Sequence, residues 1–143
     1  MKRFIDTNVI AYAYDGRDRQ KQQRALAVLR QCDIAGNGVV STQVLQELFV
    51  VLTRKLCVEP VQARTAVHLI SRFETVATTP TLVHAAIDTS ILERLSLWDA
   101  MMVEAAAAAK CAELLTEDLQ AGRRLRNVTV VNPFAGPLGG GFG

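Results

Sequence analysis

Four acidic residues in this chain stand where the apolar patterning breaks. Asp6 ends the run Phe4-Ile5 and opens the polar triplet Asp6-Thr7-Asn8. Glu47 borders the apolar arc that Val44, Leu45, Leu48, Phe49, Val51 and Leu52 form on a helical wheel. Residues 97–109 carry only two charges, Asp99 and Glu104. At about 100° per residue, Asp99 shares a face with Met102, Val103 and Ala106. A carboxylate on an apolar face needs partners. Asp118 follows Leu114-Leu115-Thr116 and, like Asp6, leaves the end of a strand. Carboxylates brought together without a cation repel and raise one another's pKa. An oxygen-rich donor set selects a hard cation such as Mg²⁺ or Mn²⁺ over zinc. Such ions activate water and stabilise charge on a phosphoryl group undergoing displacement.

Each position also has a purely structural role open to it. Asp6 suits an Asx-turn or a helix N-cap. Glu47 can lay its stem over apolar neighbours. Ser96-Leu97-Trp98-Asp99 has capping-box spacing, and Asp118 suits a cap for a short turn at residues 119–121 closed by Gly122. Strand alternation gives Thr116 and Asp118 one direction and Glu117 the other. Jointly the four acids favour a site. The three cysteines, Cys32, Cys57 and Cys111, lie too far apart for a zinc or disulfide framework and read as core residues. His68 and His84 are isolated.

The elements that must position these acids alternate. Strands are expected at residues 2–6, 39–40, 75–78, 112–116 and 128–131. Helices are expected at 7–14, 18–34, 42–57, 60–73, 80–95 and 96–110, with Gly36-Asn37-Gly38 and Pro60 among the stop and start signals. This order predicts an α/β fold, a mostly parallel sheet of about five strands in a three-layer α/β/α arrangement. In open sheets of that kind, ligands bind at the carboxyl ends of the strands. Asp6 and Asp118 emerge there, and helices that follow strands bring Glu47 and Asp99 to the same edge.

The 143 residues suit one domain, residues 1–135, followed by a Gly-rich tail at 136–143 that is expected to be flexible. Half of the residues are hydrophobic and the mean hydropathy is +0.17, which leaves apolar surface for a partner. No apolar run approaches the roughly 18 residues of a membrane span, and no signal peptide is visible, so a cytoplasmic location is the default. Net charge is +2 and the pI about 8.6. The basic residues cluster at Arg17, Arg19, Lys21, Arg24 and Arg30, at Arg54-Lys55, and at Arg123, Arg124 and Arg126. Such clusters either hold phosphates or are solvated helix faces.

The set Asp6-Thr7-Asn8, Gln46-Glu47-Leu48, Trp98-Asp99-Ala100 and Thr116-Glu117-Asp118 resembles the PIN-domain nucleases. Its order and spacing, and the chain length, are similar to those of the small bacterial VapC-type toxins of toxin–antitoxin pairs. The resemblance runs from Phe4 to Val130-Val131-Asn132-Pro133-Phe134. It implies a Mg²⁺- or Mn²⁺-dependent endoribonuclease in which Asp6, Asp99 and Asp118 are metal ligands. Glu47 would ligate a metal or orient the attacking water. Thr7, Asn8 and Thr116 would hold the carboxylates or contact phosphate. It also implies a homodimer blocked by an antitoxin segment laid in the active-site groove. The Gly-rich tail is outside the family pattern.

Three other readings make different demands on these residues. A haloacid-dehalogenase-type phosphatase requires a second acid where this chain has Asn8, and an amide cannot deliver the proton. A non-catalytic RNA- or protein-binding module has no need of four converging acids. A PIN nuclease of RNA processing shares every residue named above.

Overall fold

The computed structural model describes residues 1–136 and contains a six-stranded sheet of order β3-β2-β1-β4-β6-β5. The strands are β1 (Arg3–Ile5), β2 (Gly38–Ser41), β3 (Glu74–Val76), β4 (Glu113–Leu115), β5 (Arg124–Leu125) and β6 (Val128–Val131). All pairings are parallel except β5 with β6. The helices are α1 (Thr7–Tyr12), α2 (Arg19–Ala35), α3 (Thr42–Val50), α4 (Pro60–Ile70), α5 (Pro80–Glu93) and α6 (Leu97–Ala108). Successive residues of β1 and β2 are all buried, as in a strand covered on both faces. Right-handed crossovers place α1 to α4 on one face and α5 and α6 on the other. The three-layer α/β arrangement expected from the sequence is therefore present.

Several differences have local causes. The sixth strand, β5, is two residues long and lies in the basic stretch Arg123-Arg124-Leu125-Arg126, so no apolar run announces it. It pairs only with β6, through a turn in which Arg126 and Asn127 both have positive φ. The helix expected to reach residue 57 ends as α at Val50 and continues as one π turn, Val51–Lys55. Cys57, expected in the core, is exposed and has positive φ, because the chain reverses there. Cys32 and Cys111 are buried as expected. The tail at 137–143 lies outside the described residues. Its base is tied down: the buried Arg24 guanidinium donates to the carbonyls of Pro133, Ala135 and Gly136.

The core lies between these layers. Phe4, Ile5, Val39, Val40, Leu114 and Leu115 from the sheet meet Val9, Ile10, Val44, Leu48 and Leu52 from one layer, and Met102, Val103 and Ala106 from the other. Two glycines end α2 and enter β2 for different reasons. Gly36 is the left-handed C-cap at φ 66°. Gly38 is required by contact: a Cβ there would stand 2.8 Å from the Phe73 ring and 3.1 Å from Cys32 Cβ. Gly38→Ala should therefore cost about 1–3 kcal/mol by overpacking. Gly16→Ala, with open space around it, should stay within about 0.5 kcal/mol of wild type. Urea melts of the two variants check this, and equal midpoints would contradict it.

Candidate active site

The strand order reverses at β1. From there the chain works outward to β2 and β3, then returns to place β4 on the other side of β1. The crevice above the carboxyl ends of β1 and β4 is thus the topological switch point, where open α/β sheets bind ligands. Asp6 leaves β1 there and Asp118 leaves the segment after β4. Helix α3 brings Glu47 in from one layer, and the first turn of α6 brings Asp99 in from the other.

Asp6 is buried and caps α1, with Oδ1 accepting from the Thr7 N–H at 2.6 Å. The structural role open to it is realised, yet it uses only one oxygen. Oδ2 accepts from the Thr116 hydroxyl at 2.7 Å. That hydroxyl in turn accepts from the Asp118 N–H at 3.1 Å and from Asn8 Nδ2 at 3.4 Å. One donor and two acceptor sites are all that a hydroxyl has. Thr7 Oγ1 donates to Glu47 Oε1 at 2.8 Å, and Gln43 Nε2 lies 3.2 Å from Glu47 Oε2. Gln43 also donates to the Trp98 carbonyl at 3.3 Å, which ties the start of α3 to the start of α6. Asn8 Oδ1 is buried without a hydrogen-bond partner, and Asn8 borders the groove described below.

The electrostatics show these carboxylates acting on one another. Burial pushes the Asp6 carboxyl up to about 7, against the pull of Thr116, and the charges of Asp118 and Glu47 push it the same way. Burial also raises the Asp99 carboxyl; Ser96 lowers it, and Asp118 and Glu47 raise it. Asp99 is half-buried on the face with Met102, Val103 and Ala106, all buried. Ser96 caps its helix by accepting from the Asp99 N–H at 3.1 Å. Asp118 is exposed, and residues 119–121 hold one bend and the start of a turn, with no helix to cap, so the structural alternative for Asp118 is not realised. As the side chains stand, no three acidic, His or Cys groups among the described residues close into a metal cage. The donor chemistry still fits a hard cation: Asp6, Glu47, Asp118 and the unpartnered Asn8 oxygen border one groove, and Asp99, outside that lining, feels the charges of Glu47 and Asp118.

A groove of about 570 Å³ opens from this crevice. Asp6, Thr7, Asn8, Glu47, Glu117 and Asp118 line its acidic end, while Ala11, Val50, Val51 and Leu56 supply an apolar wall. Glu117 turns from Asp6 to Lys21 at 2.8 Å, yet still borders the groove. The strict strand alternation expected beyond Thr116 does not apply, because β4 ends at Leu115. The early basic cluster does not form one phosphate-holding patch. Arg24 is buried on carbonyls, Arg17 makes a fork with Asp15, and Lys21 sits between Glu117 and the Tyr12 and Phe134 rings. Two contributors were not foreseen. Gln43 was detectable, since it lies one helical turn before Glu47. The Lys21–Tyr12–Phe134 group joins distant segments and leaves no local signal.

Comparison with known proteins places this fold. Among curated proteins, none matches the chain. Solved structures do, at low identity. The VapBC2 structure from Rickettsia felis, bound to a promoter DNA fragment, has a chain that is 19% identical with TM-score 0.62, covering 91% of this chain and 97% of that one. VapBC from Salmonella typhimurium, also DNA-bound, gives 17% and 0.65, with coverage of 91% and 96%. VapC20 of Mycobacterium tuberculosis, described as a sarcin-ricin loop cleaving toxin, gives 18% and 0.60, with coverage of 79% and 87%. These likenesses establish the fold. The PIN domain profile matches residues 3–126, a span that includes all four acids. The chain therefore belongs to the PIN-domain family.

Proposed function

We propose that the protein is a Mg²⁺- or Mn²⁺-dependent endoribonuclease and the toxin of a type II toxin–antitoxin pair. The observation that carries the reading is the convergence of Asp6, Glu47, Asp99 and Asp118 at the switch point, with Asp6 buried and its carboxyl raised to about 7. Burying a carboxylate beside the charges of Asp118 and Glu47 is costly unless something offsets the charge. Asp6, Asp99 and Asp118 would hold the cation, with Glu47 as a further ligand or as the group that orients the attacking water. When bound, the ion lowers the pKa of that water and stabilises the charge of the phosphoryl group under displacement.

The chain's own residues do the positioning. Thr116 fixes the Asp6 carboxyl plane and holds the Asp118 main chain close to it. Thr7 fixes Glu47 from the adjacent helix. Such supporting hydrogen bonds keep ligands pre-aimed. Gln43 sets the distance between the layers that carry Glu47 and Asp99. The apolar wall opposite the acids excludes water from one side of the bound strand.

The toxin reading is supported by the solved relatives, which are toxin–antitoxin complexes or a named toxin. An antitoxin segment in the groove and a homodimer are parts of this proposal. Exposed apolar residues on α5 and at the start of α6, including Ile91 at 74%, Leu92 at 79% and Trp98 at 60%, supply area for a second chain. No helix among the described residues is long and apolar enough to cross a membrane. A cytoplasmic location follows from the RNA substrate and remains part of the proposal.

Purified protein should cleave RNA only with Mg²⁺ or Mn²⁺. Asp6→Asn and Asp99→Asn should each lower the rate on the order of a thousandfold or more with the fold retained. A gel assay with circular dichroism checks this, and full cleavage in EDTA or by both variants sinks the metal mechanism.

A second outcome concerns pH. The folded pKa of Asp6 is raised, so the proton's contribution to stability is full below about 4 and is lost as pH rises through about 7. Melting temperature of metal-free protein should therefore fall over that window more for wild type than for Asp6→Asn. Parallel curves would contradict the buried-acid account. Expression without a partner should arrest growth in the wild type but not in Asp99→Asn. An active enzyme that is harmless when overexpressed would point to RNA processing instead.

A further inference from the structure

Directly after the helix that carries Glu47, the chain makes one π turn, Val51–Lys55. Its wide closure is visible in the Leu56 N–H, which bonds to the Val51 carbonyl five residues back at 3.1 Å. The Val58 N–H then returns to the Leu52 carbonyl at 2.8 Å. Such turns are rare and are frequent at functional sites. Here the turn has a geometric effect. In a continuous α-helix, Lys55 would lie about 80° around the axis from Glu47, eight residues on. A π turn rotates less per residue, and so swings Lys55 back toward the Glu47 side. Lys55 accordingly lines the same groove as Glu47, Val50 and Val51.

Lys55 also differs from the other cations nearby. Lys21 is bound to Glu117 at 2.8 Å, and Arg17 is bound to Asp15 at 2.9 Å. Among the described residues, Lys55 is the only cation that lines the groove, it is exposed, and it forms no ion pair. Its charge is felt across the groove, where it helps to lower the Asp15 carboxyl after the larger effect of Arg17. A polyanionic strand entering a groove with an acidic end needs a compensating charge beyond the acids.

We propose that Lys55, placed by the π turn, binds a backbone phosphate of the RNA strand away from the scissile bond, and so sets where the strand lies against the four acids. The inference rests on the ribonuclease reading above. Lys55 is a positioning residue: it acts on substrate affinity and alignment and leaves the acidic cluster unchanged. Its contact is with the backbone, so the effect is independent of base sequence.

The test uses the full chain carrying Asp6→Asn, which removes cleavage, and a short fluorescent single-stranded RNA whose binding is followed by anisotropy across a salt series. Adding Lys55→Ala should weaken binding about three- to tenfold at low salt. It should also reduce the slope of log affinity against log salt by about 0.7, the loss of one phosphate contact to a single strand. Lys55→Arg should restore both. In the otherwise wild-type chain, Lys55→Ala should raise KM for RNA with little change in kcat, and should leave the melting temperature unchanged. Affinity and salt slope indifferent to Lys55→Ala would overturn this proposal alone, and would leave the groove lysine to a protein partner. Failure of the parent chain to bind or cleave RNA at all would overturn both this proposal and the ribonuclease reading.

Discussion

The Thr116 hydroxyl donates to Asp6 Oδ2 and accepts from the Asp118 N–H and Asn8 Nδ2, and no capacity is left over. That saturated centre joins the end of β1 to the segment after β4, two strands that are adjacent in the sheet but more than a hundred residues apart in sequence. It also explains how a buried carboxyl is tolerated. Asp6 is desolvated and faces Asp118 and Glu47, which raises its pKa, while the Thr116 and Thr7 donors pull the other way. The balance leaves the Asp6 carboxyl raised to about 7, in the crevice where the proposed cation would bind. An acid poised between proton and cation is a common arrangement at catalytic sites, and burial with like charges is how it is built.

The fold supplies the crevice by topology alone. A parallel sheet that reverses its strand order opens a gap above the reversal, and the helices on the two faces approach that gap from opposite sides. Here α3 and α6 do so, and Gln43 spans them by touching both Glu47 and the Trp98 carbonyl. The acidic end and the apolar wall of the groove share α1 and α3: Asn8 and Ala11 lie on the first, Glu47 and Val50 on the second. The π turn after α3 extends the groove, because it redirects the chain just where a regular helix would have carried Lys55 out of line.

Much of this was legible in the residues. Asp6 and Asp118 could be placed because apolar strands of three or four residues end abruptly in polar ones. Asp99 could be placed because nothing else on its helix face is polar. The alternation of strands and helices gave the layer arrangement, and Pro60, Pro80 and Gly36 marked boundaries to within a few residues. What escaped has physical reasons. The two-residue strand β5 is held by pairing to β6 and has no apolar pattern of its own. The π turn continues the apolar pattern of α3 with Leu52 buried, so helical periodicity does not set it apart from a regular helix. Arg24 read as part of a basic surface, yet it is buried on the carbonyls of Pro133, Ala135 and Gly136, contacts that only the folded chain brings together.

Under the proposed function the four carboxylates form one cation site, with Asp6 at its buried end. The most direct measurement is a crystal soaked in Mn²⁺ and recorded at a wavelength where manganese scatters anomalously. An anomalous peak is expected within about 2.0–2.3 Å of carboxylate oxygens of Asp6 and at least one of Asp99 and Asp118, with octahedral coordination completed by water. Carboxylates that stay apart, with Asp6 still held on Thr116 and no manganese between them at saturating concentration, would contradict it.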